Sequence, residues 1–208
     1  MKLLILGATG PTGRQITAQA LEQGHDVTAL VRDFTRLAAR SERLRAVTGS
    51  VPDSPQAVAN AVRGQDVVIS ALGVGQTFRP RALMARSVPV ILSAMERQAV
   101  RRLIFISAVG VGHTYPLPLS LAIFTRTLLG SIYADKKVGE DAIAATKLDW
   151  TLVHPTMLTN GAMTGRYRAG ERLPLRGMPK ISRADVAHFV LAQLKDSTYV
   201  RKTVLISY

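Results

Sequence analysis

The first thirteen residues, Met1-Lys-Leu-Leu-Ile-Leu-Gly-Ala-Thr-Gly-Pro-Thr-Gly13, constrain the fold more than any other stretch, because an apolar run passes directly into glycines three apart. Leu3, Leu4, Ile5 and Leu6 have no polar residue among them, as in a central parallel strand covered by helices on both faces. Each glycine then has its own physical reason. Gly7 permits a tight exit from the strand, Gly10 lets the backbone approach a pyrophosphate, and Gly13 lets the following helix lie close to the sheet. Pro11 costs little in the first turn of a helix, where its missing N–H is not needed. The unpaired amide groups at that helix end, with the positive end of the helix dipole, suit an anion. The sequence thus predicts a dinucleotide site built on Gly7, Thr9, Gly10, Pro11, Thr12 and Gly13.

A second strand is read over Asp26–Val31, and it ends in Arg32 instead of the acidic residue that binds a ribose 2′-hydroxyl. A guanidinium binds a 2′-phosphate in two-pronged fashion, and Arg36 can add a second contact, so NADP(H) is the expected cofactor. The balance of 27 basic to 14 acidic residues gives a net charge of +13. The basic groups are scattered, and aromatics make up only 5% of the chain, without the interleaving that a nucleic-acid stacking platform needs. The charge is therefore read as attraction for an anionic small molecule, with no nucleic-acid partner. The sequence contains no cysteine, and His25, His113, His154 and His188 show no metal-binding spacing, so no metal is expected. No apolar run reaches the roughly 18 residues of a membrane span, and the first strand begins almost at Met1, so a cytoplasmic protein, monomer or homodimer, without a membrane partner is expected.

Further along, helices are expected over 12–23, 35–43, 55–62, 82–98, 120–146 and 183–194, with Ser54 and Ser182 as N-caps. Strands are expected near 44–48, 66–73, 103–106, 150–154 and 203–206. This alternation gives the α/β class, a doubly wound parallel sheet of Rossmann fold, in one domain over residues 1–208. Ser50 and Val51, after the third strand, fall where an adenine would lie, and Ala71, Leu72 and Gly73, after the fourth, where its ribose would pass. Residues 110–146 and 157–180 read as substrate-side segments. The second, over 160–180, is rich in glycine, arginine and proline and reads as an irregular, mobile wall to which Met157 and Met163 lend an adaptable apolar lining.

Two sets of motifs carry a resemblance. Gly7-Ala-Thr-Gly-Pro-Thr-Gly13, Val31-Arg-Asp-Phe-Thr-Arg-Leu37, Gly49-Ser-Val51, Gly64-Gln-Asp-Val-Val68 and Met163-Thr-Gly-Arg-Tyr167 resemble an atypical short-chain dehydrogenase/reductase, near the NAD(P)H-binding oxidoreductases that include biliverdin-IXβ reductase/flavin reductase. The resemblance implies pyrophosphate binding by the first motif and 2′-phosphate binding by Arg32 and Arg36. Ser50 stands where that family usually has aspartate, and Met157 where the flavin reductase has a histidine shortly after the sixth-strand proline. The second set is Ser107, at the end of the fifth strand, with Tyr133 and Lys137, which match the Tyr-x-x-x-Lys spacing of short-chain dehydrogenases proper. Residues four apart share a helix face. The resemblance implies Tyr133 as proton donor, Lys137 as the group that lowers its pKa and holds the nicotinamide ribose, and Ser107 as a hydrogen-bond donor to a carbonyl. Pro155 and Thr156 complete the expected cofactor contacts. The expected activity is hydride transfer from NADPH to a flavin, quinone or small carbonyl compound, flat and aromatic or carbonyl-bearing. The alternatives are a redox-silent NADP-sensing regulator and an NAD(P)-dependent epimerase or isomerase.

Overall fold

The computed structural model describes residues 1–73, 82–113, 130–175 and 177–208. In chain order the elements are β1 (Lys2–Leu6), α1 (Pro11–Glu22), β2 (Asp26–Val31), β3 (Leu44–Thr48), α2 (Pro55–Val62), β4 (Val67–Ser70), α3 (Leu83–Arg97) and β5 (Arg102–Ile106). They continue with α4 (Gly130–Ala144), β6 (Asp149–Pro155), β7 (Met157–Thr159), β8 (Arg168–Gly170), β9 (Lys180–Ser182), α5 (Arg183–Ala192) and β10 (Lys202–Ser207). The main sheet runs β3-β2-β1-β4-β5-β6-β10-β8, and only β8 is antiparallel to its neighbour. Such an order places the crevice for a ligand at the carboxyl ends of β1 and β4, where the winding reverses. Residues 74–81, 114–129 and 176 lie outside the described residues, and with them part of the substrate-side segment expected over 110–146 and of the helix expected over 120–146.

Strand alternation sends side chains to two cores. Leu3, Ile5, Val27, Ala29, Ile104 and Val204 meet α1 and α5 on one face, and Leu4, Leu6, Val68, Leu103, Phe105 and Leu152 meet α2, α3 and α4 on the other. Each such buried side chain contributes about 1.5–3 kcal/mol, so the central strands are fixed in register by both faces at once.

Several expectations need correcting. The helix read over 35–43 is a single 3-10 turn, Phe34–Arg36. The Asp33 carboxylate accepts from the Thr35 N–H at 2.9 Å and starts the turn, but Leu37 is extended and packs on the core, leaving no apolar stripe to carry the helix further. Ser54 does not cap α2 through its side chain; its Oγ accepts instead from the Ser50 N–H, at 3.2 Å. Arg102, one of the basic groups that look scattered in the sequence, is half-buried and held inside the fold. It begins β5, where its Nη1 donates to the Asp149 carbonyl at 2.8 Å and to Thr151 Oγ1 at 2.9 Å, and its Nη2 to the Gln193 carbonyl at the end of α5 at 3.2 Å. Nor is 160–180 irregular throughout, since β8 lies within it and β9 begins at its last residue.

The start of α3 has no local cap, because Ala82 is left-handed and its side chain has no acceptor. The acceptor comes from α4: Asp135 receives the Met84 N–H at 2.9 Å and the Ala85 N–H at 3.0 Å. Asp135→Ala is expected to lower stability by about 1–2 kcal/mol, the usual cost of losing a helix cap. Urea denaturation checks this, and an unchanged midpoint would mean that water serves those amides equally well.

Candidate functional site

The glycine turn is set by backbone crowding. Gly7 has φ of +82°, and a Cβ there would lie 2.6 Å from the Ala71 carbonyl oxygen. At Gly13 a Cβ would lie 2.1 Å from the Gly7 carbonyl oxygen, so α1 begins against the strand end it has just left. Gly10 caps α1 without a side-chain hydrogen bond, and no acidic residue stands in the first turn, which leaves the amide groups near Pro11, Thr12 and Gly13 without a side-chain acceptor. Arg14 braces the turn, its Nε donating to the Thr9 carbonyl at 3.0 Å and its Nη2 to the Arg36 carbonyl at 3.4 Å. Arg32 and Arg36 are exposed and, among the described residues, form no ion pair.

Beside this turn, Ser50 donates to Asp53 at 2.9 Å, and Arg86 of α3 pairs with the same carboxylate. The Ser50 hydrogen bond, then the Arg86 charge, hold the Asp53 carboxyl below its ordinary pKa. The carboxylate absent at position 50 is thus present three residues on. Val51 is buried in the core, while Ala71 and Leu72 are half-buried and Gly73 is exposed as the chain leaves β4.

The second cluster lies at the carboxyl ends of β5 and β6. Ser107 follows β5, its N–H bonded to the Val153 carbonyl at 2.8 Å; its buried Oγ has no hydrogen-bond partner among the described residues. Tyr133 of α4 is half-buried, and burial pushes its phenol above the ordinary pKa, so it stays protonated at neutral pH. Lys137 is turned away: its ammonium lies between both oxygens of Asp141 on its own helix, 2.6 Å from Oδ2, and is half-exposed. Lys136, one residue earlier, is only partly exposed, and burial lowers its ammonium to about 8 against the opposing charges of Glu140 and Asp135. Glu140 is buried and its Oε1 lies 3.0 Å from Nε2 of the fully buried His154 on β6. Ile106 pairs with Val153, so Ser107 and His154, one position on, point to the α4 face together. Thr156 is already engaged, its Oγ1 3.1 Å from Ser207 Oγ, and the Pro155 carbonyl accepts from the Val109 N–H at 3.1 Å.

Next to the segment over 157–180, Asp185 is wholly buried at the start of α5. Its carboxylate accepts from the Tyr208 hydroxyl at 2.6 Å, the Thr164 and Gly165 N–H groups at 2.8 Å, and the Ser182 hydroxyl at 3.0 Å. Leu173 and Leu175 pack on Val109 and Leu205, while Met157 and Met163 are half-exposed at 51% and 54%.

Residues 7–197 match a family described as NAD(P)H-binding. The chain belongs to that family. It is 27% identical, over 98% of its length, to the photosystem II assembly factor Ycf39 of Synechocystis sp., of which it spans 61%. Over 94% of its length it is 26% identical to a Bacillus subtilis protein named uncharacterized sugar epimerase YhfK, of which it spans 89%. The Veillonella parvula short-chain dehydrogenase/reductase in complex with NADP superimposes with a TM-score of 0.84 at 23% identity, covering 100% of this chain and 94% of that one. The anaerobillin reductase ChuY from Escherichia coli O157:H7 superimposes with a TM-score of 0.82 at 22% identity, covering 99% and 96%. These likenesses show a shared Rossmann-type fold. The nicotinamide cofactor and the resemblance to short-chain dehydrogenase/reductases expected from the sequence stand at the level of fold and cofactor family.

The residues present fit an NAD(P)H-binding protein's cofactor, with a Cβ-free turn, a helix start lacking any acidic side chain, exposed arginines beside it and an orphaned hydroxyl at Ser107. Lys136, Glu140, His154 and Arg14 stand beside these groups and belong to none of the motifs read from the sequence. A signal for the first three was available: Lys136 and Glu140 are four apart, and His154 alternates with Trp150 and Leu152 on β6.

Among the described residues no three His, Asp or Glu side chains group as metal ligands, and no helix is long and apolar enough to cross a membrane. A lysine depressed from 10.5 to about 8 binds fewer protons folded than unfolded between those values, so its contribution favours folding more as pH rises through that window. The stability gap between Lys136→Met and wild type is therefore expected to move in favour of wild type by roughly 2–3 kcal/mol between pH 7 and pH 10.5. The change should level off only above about pH 10.5, as the lysine of the unfolded chain also becomes neutral. Paired thermal melts across this range test it; a gap independent of pH would contradict it.

Proposed function

We propose that this protein is an NADPH-dependent reductase transferring hydride to a flavin, quinone or small carbonyl acceptor, with residues 1–208 acting as one unit. The observation that supports it most is the Ser107 hydroxyl, buried without a partner among the described residues at the carboxyl end of β5, on the face that α4 and its protonated Tyr133 cover. A buried donor left unpaired costs about 1–3 kcal/mol, and an acceptor oxygen bound there recovers it.

When bound, the cofactor supplies the hydride. The start of α1, with Gly10 and Gly13, receives its pyrophosphate; Arg32 and Arg36 receive the 2′-phosphate; Val51 and the 71–73 exit of β4 border adenine and ribose. Ser107 orients the acceptor, and Tyr133 donates the proton that a carbonyl oxygen requires once the carbon has gained hydride. The loop tied to Asp185 and the exposed Met157 and Met163 form the acceptor side, with an adaptable apolar surface for a flat ring.

A second reading has one observation in its favour, the Bacillus subtilis relative named as a sugar epimerase. An epimerase regenerates its cofactor within each turnover, so it consumes no NADPH. Net NADPH oxidation with a panel of FMN, quinones and aldehydes separates the two, and no oxidation with any of them rejects the reductase.

Two further outcomes are expected. NADPH should bind at least about tenfold more tightly than NADH, roughly 1.4 kcal/mol, and Arg32→Ala should remove most of the difference; equal affinities in the unmodified protein, by titration, would sink the role of Arg32. Tyr133→Phe should slow turnover of carbonyl acceptors by about 10²-fold while leaving flavin reduction nearly unchanged, because a reduced flavin delocalises its charge. Steady-state rates on both acceptor types provide the check, and undiminished carbonyl turnover would remove Tyr133 from the chemistry.

A further inference from the structure

We propose that Glu140 and His154 form a buried positioning pair that holds the ammonium of Lys136, and not that of Lys137, beneath the carboxyl ends of β5 and β6 beside Ser107. The rotation of α4 carries this. Asp135 is committed to the Met84 and Ala85 amides of α3, and Gly139 lies so close to α3 that a Cβ would stand 3.0 Å from Met84 Cβ and 3.1 Å from Val88 Cγ2. With those two positions pinned to α3, Lys136 and Glu140, offset by about 100° from them around the helix, turn toward the sheet. Lys137 falls beyond Tyr133 on the outer side and is taken up by Asp141.

Glu140 is 6% exposed and would be costly to bury as an isolated carboxylate; His154, 0% exposed, supplies a ring nitrogen at 3.0 Å. One turn earlier on the same face, Lys136 supplies the compensating positive charge. The charges that act on Lys136 are those of Glu140 and Asp135 on its own helix, which also carries Tyr133 and Lys137, while His154 on β6 stands against Glu140. The elements packed nearby offer the uncharged Ser107 after β5 and the apolar Met84 and Val88 of α3. Glu140 and His154 touch neither cofactor nor acceptor and act through the lysine.

For a carbonyl acceptor, the carbon gains a hydride from the reduced nicotinamide as the C=O π pair moves to oxygen. Tyr133 gives its proton to that oxygen, Lys136 passes one to the phenolate, and water recharges the amine, leaving an alcohol and oxidised cofactor. This kinetic consequence rests on the reductase reading; the lysine's position does not.

The test is NMR of the protein with its lysines reductively methylated with ¹³C, the signals of Lys136 and Lys137 assigned by their loss in Lys136→Met and Lys137→Met. The Lys136 signal should titrate below those of the other lysines and move on addition of NADP⁺, while that of Lys137 stays in place. In Glu140→Gln the Lys136 titration should fall further, by about one pH unit, and in His154→Gln, which keeps a donor for Glu140, it should shift less. If a buried variant does not fold, the wild-type response to NADP⁺ still decides. A moving Lys137 signal with a still Lys136, or a Lys136 titration unchanged in Glu140→Gln, overturns the assignment. In turnover, Lys136→Met should lose at least about tenfold in kcat, its high-pH limb vanishing, with Lys137→Met within about twofold of wild type. Absence of turnover on every acceptor would reject the reductase reading and leave the NMR result standing.

Discussion

Helix α1 starts against the strand end it has just left, and this closeness depends on two missing Cβ atoms. A methyl group at Gly13 would overlap the Gly7 carbonyl, and one at Gly7 would overlap the Ala71 carbonyl of the neighbouring strand. Because α1, β1 and β4 meet in backbone-to-backbone contact, the amides at the helix start, the exit of β4 and the arginines after β2 surround one crevice. Arg14 then ties the turn to the Arg36 carbonyl, so the phosphate-facing pieces share a hydrogen-bonded frame and not only a neighbourhood.

The second half of the site depends on a different kind of contact. Helix α4 is not strongly amphipathic by sequence, and its rotation is imposed from outside by Asp135 and Gly139 against α3. Charged side chains decide which face goes inward, because Glu140 meets His154 there and Asp141 keeps Lys137 outside. Polar groups buried this way give specificity of orientation more than stability.

Much of this was legible in the sequence. The glycine turn, the strands from β1 to β6 and the Ser182 cap of α5 follow from local rules, and the cap is seen directly, with the Ser182 hydroxyl accepting from the Asp185 N–H at 2.9 Å. What failed to read were features decided between distant elements. The Tyr-x-x-x-Lys spacing correctly placed Tyr133 and Lys137 on one helix, but spacing carries no information about which of two adjacent lysines a neighbouring helix will turn inward. The 35–43 stretch has helix-forming residues without a face to bury, and tertiary packing of Leu37 prevailed over propensity. Arg102 reads as a surface cation until β6 and α5 bring three acceptors to it.

The segment from 160 to 182 is fastened at intervals: Asp185 grips positions 164 and 165, β8 is stitched to β10, and β9 is stitched to β7. Between the last two anchors runs a short excursion whose apolar residues Leu173 and Leu175 pack on Val109 and Leu205. A chain built this way can exchange or lengthen that excursion without disturbing the nucleotide crevice, since none of its fastenings belongs to β1, α1 or β2. Variation in such a scaffold is therefore a modular affair, one replaceable panel on a fixed frame.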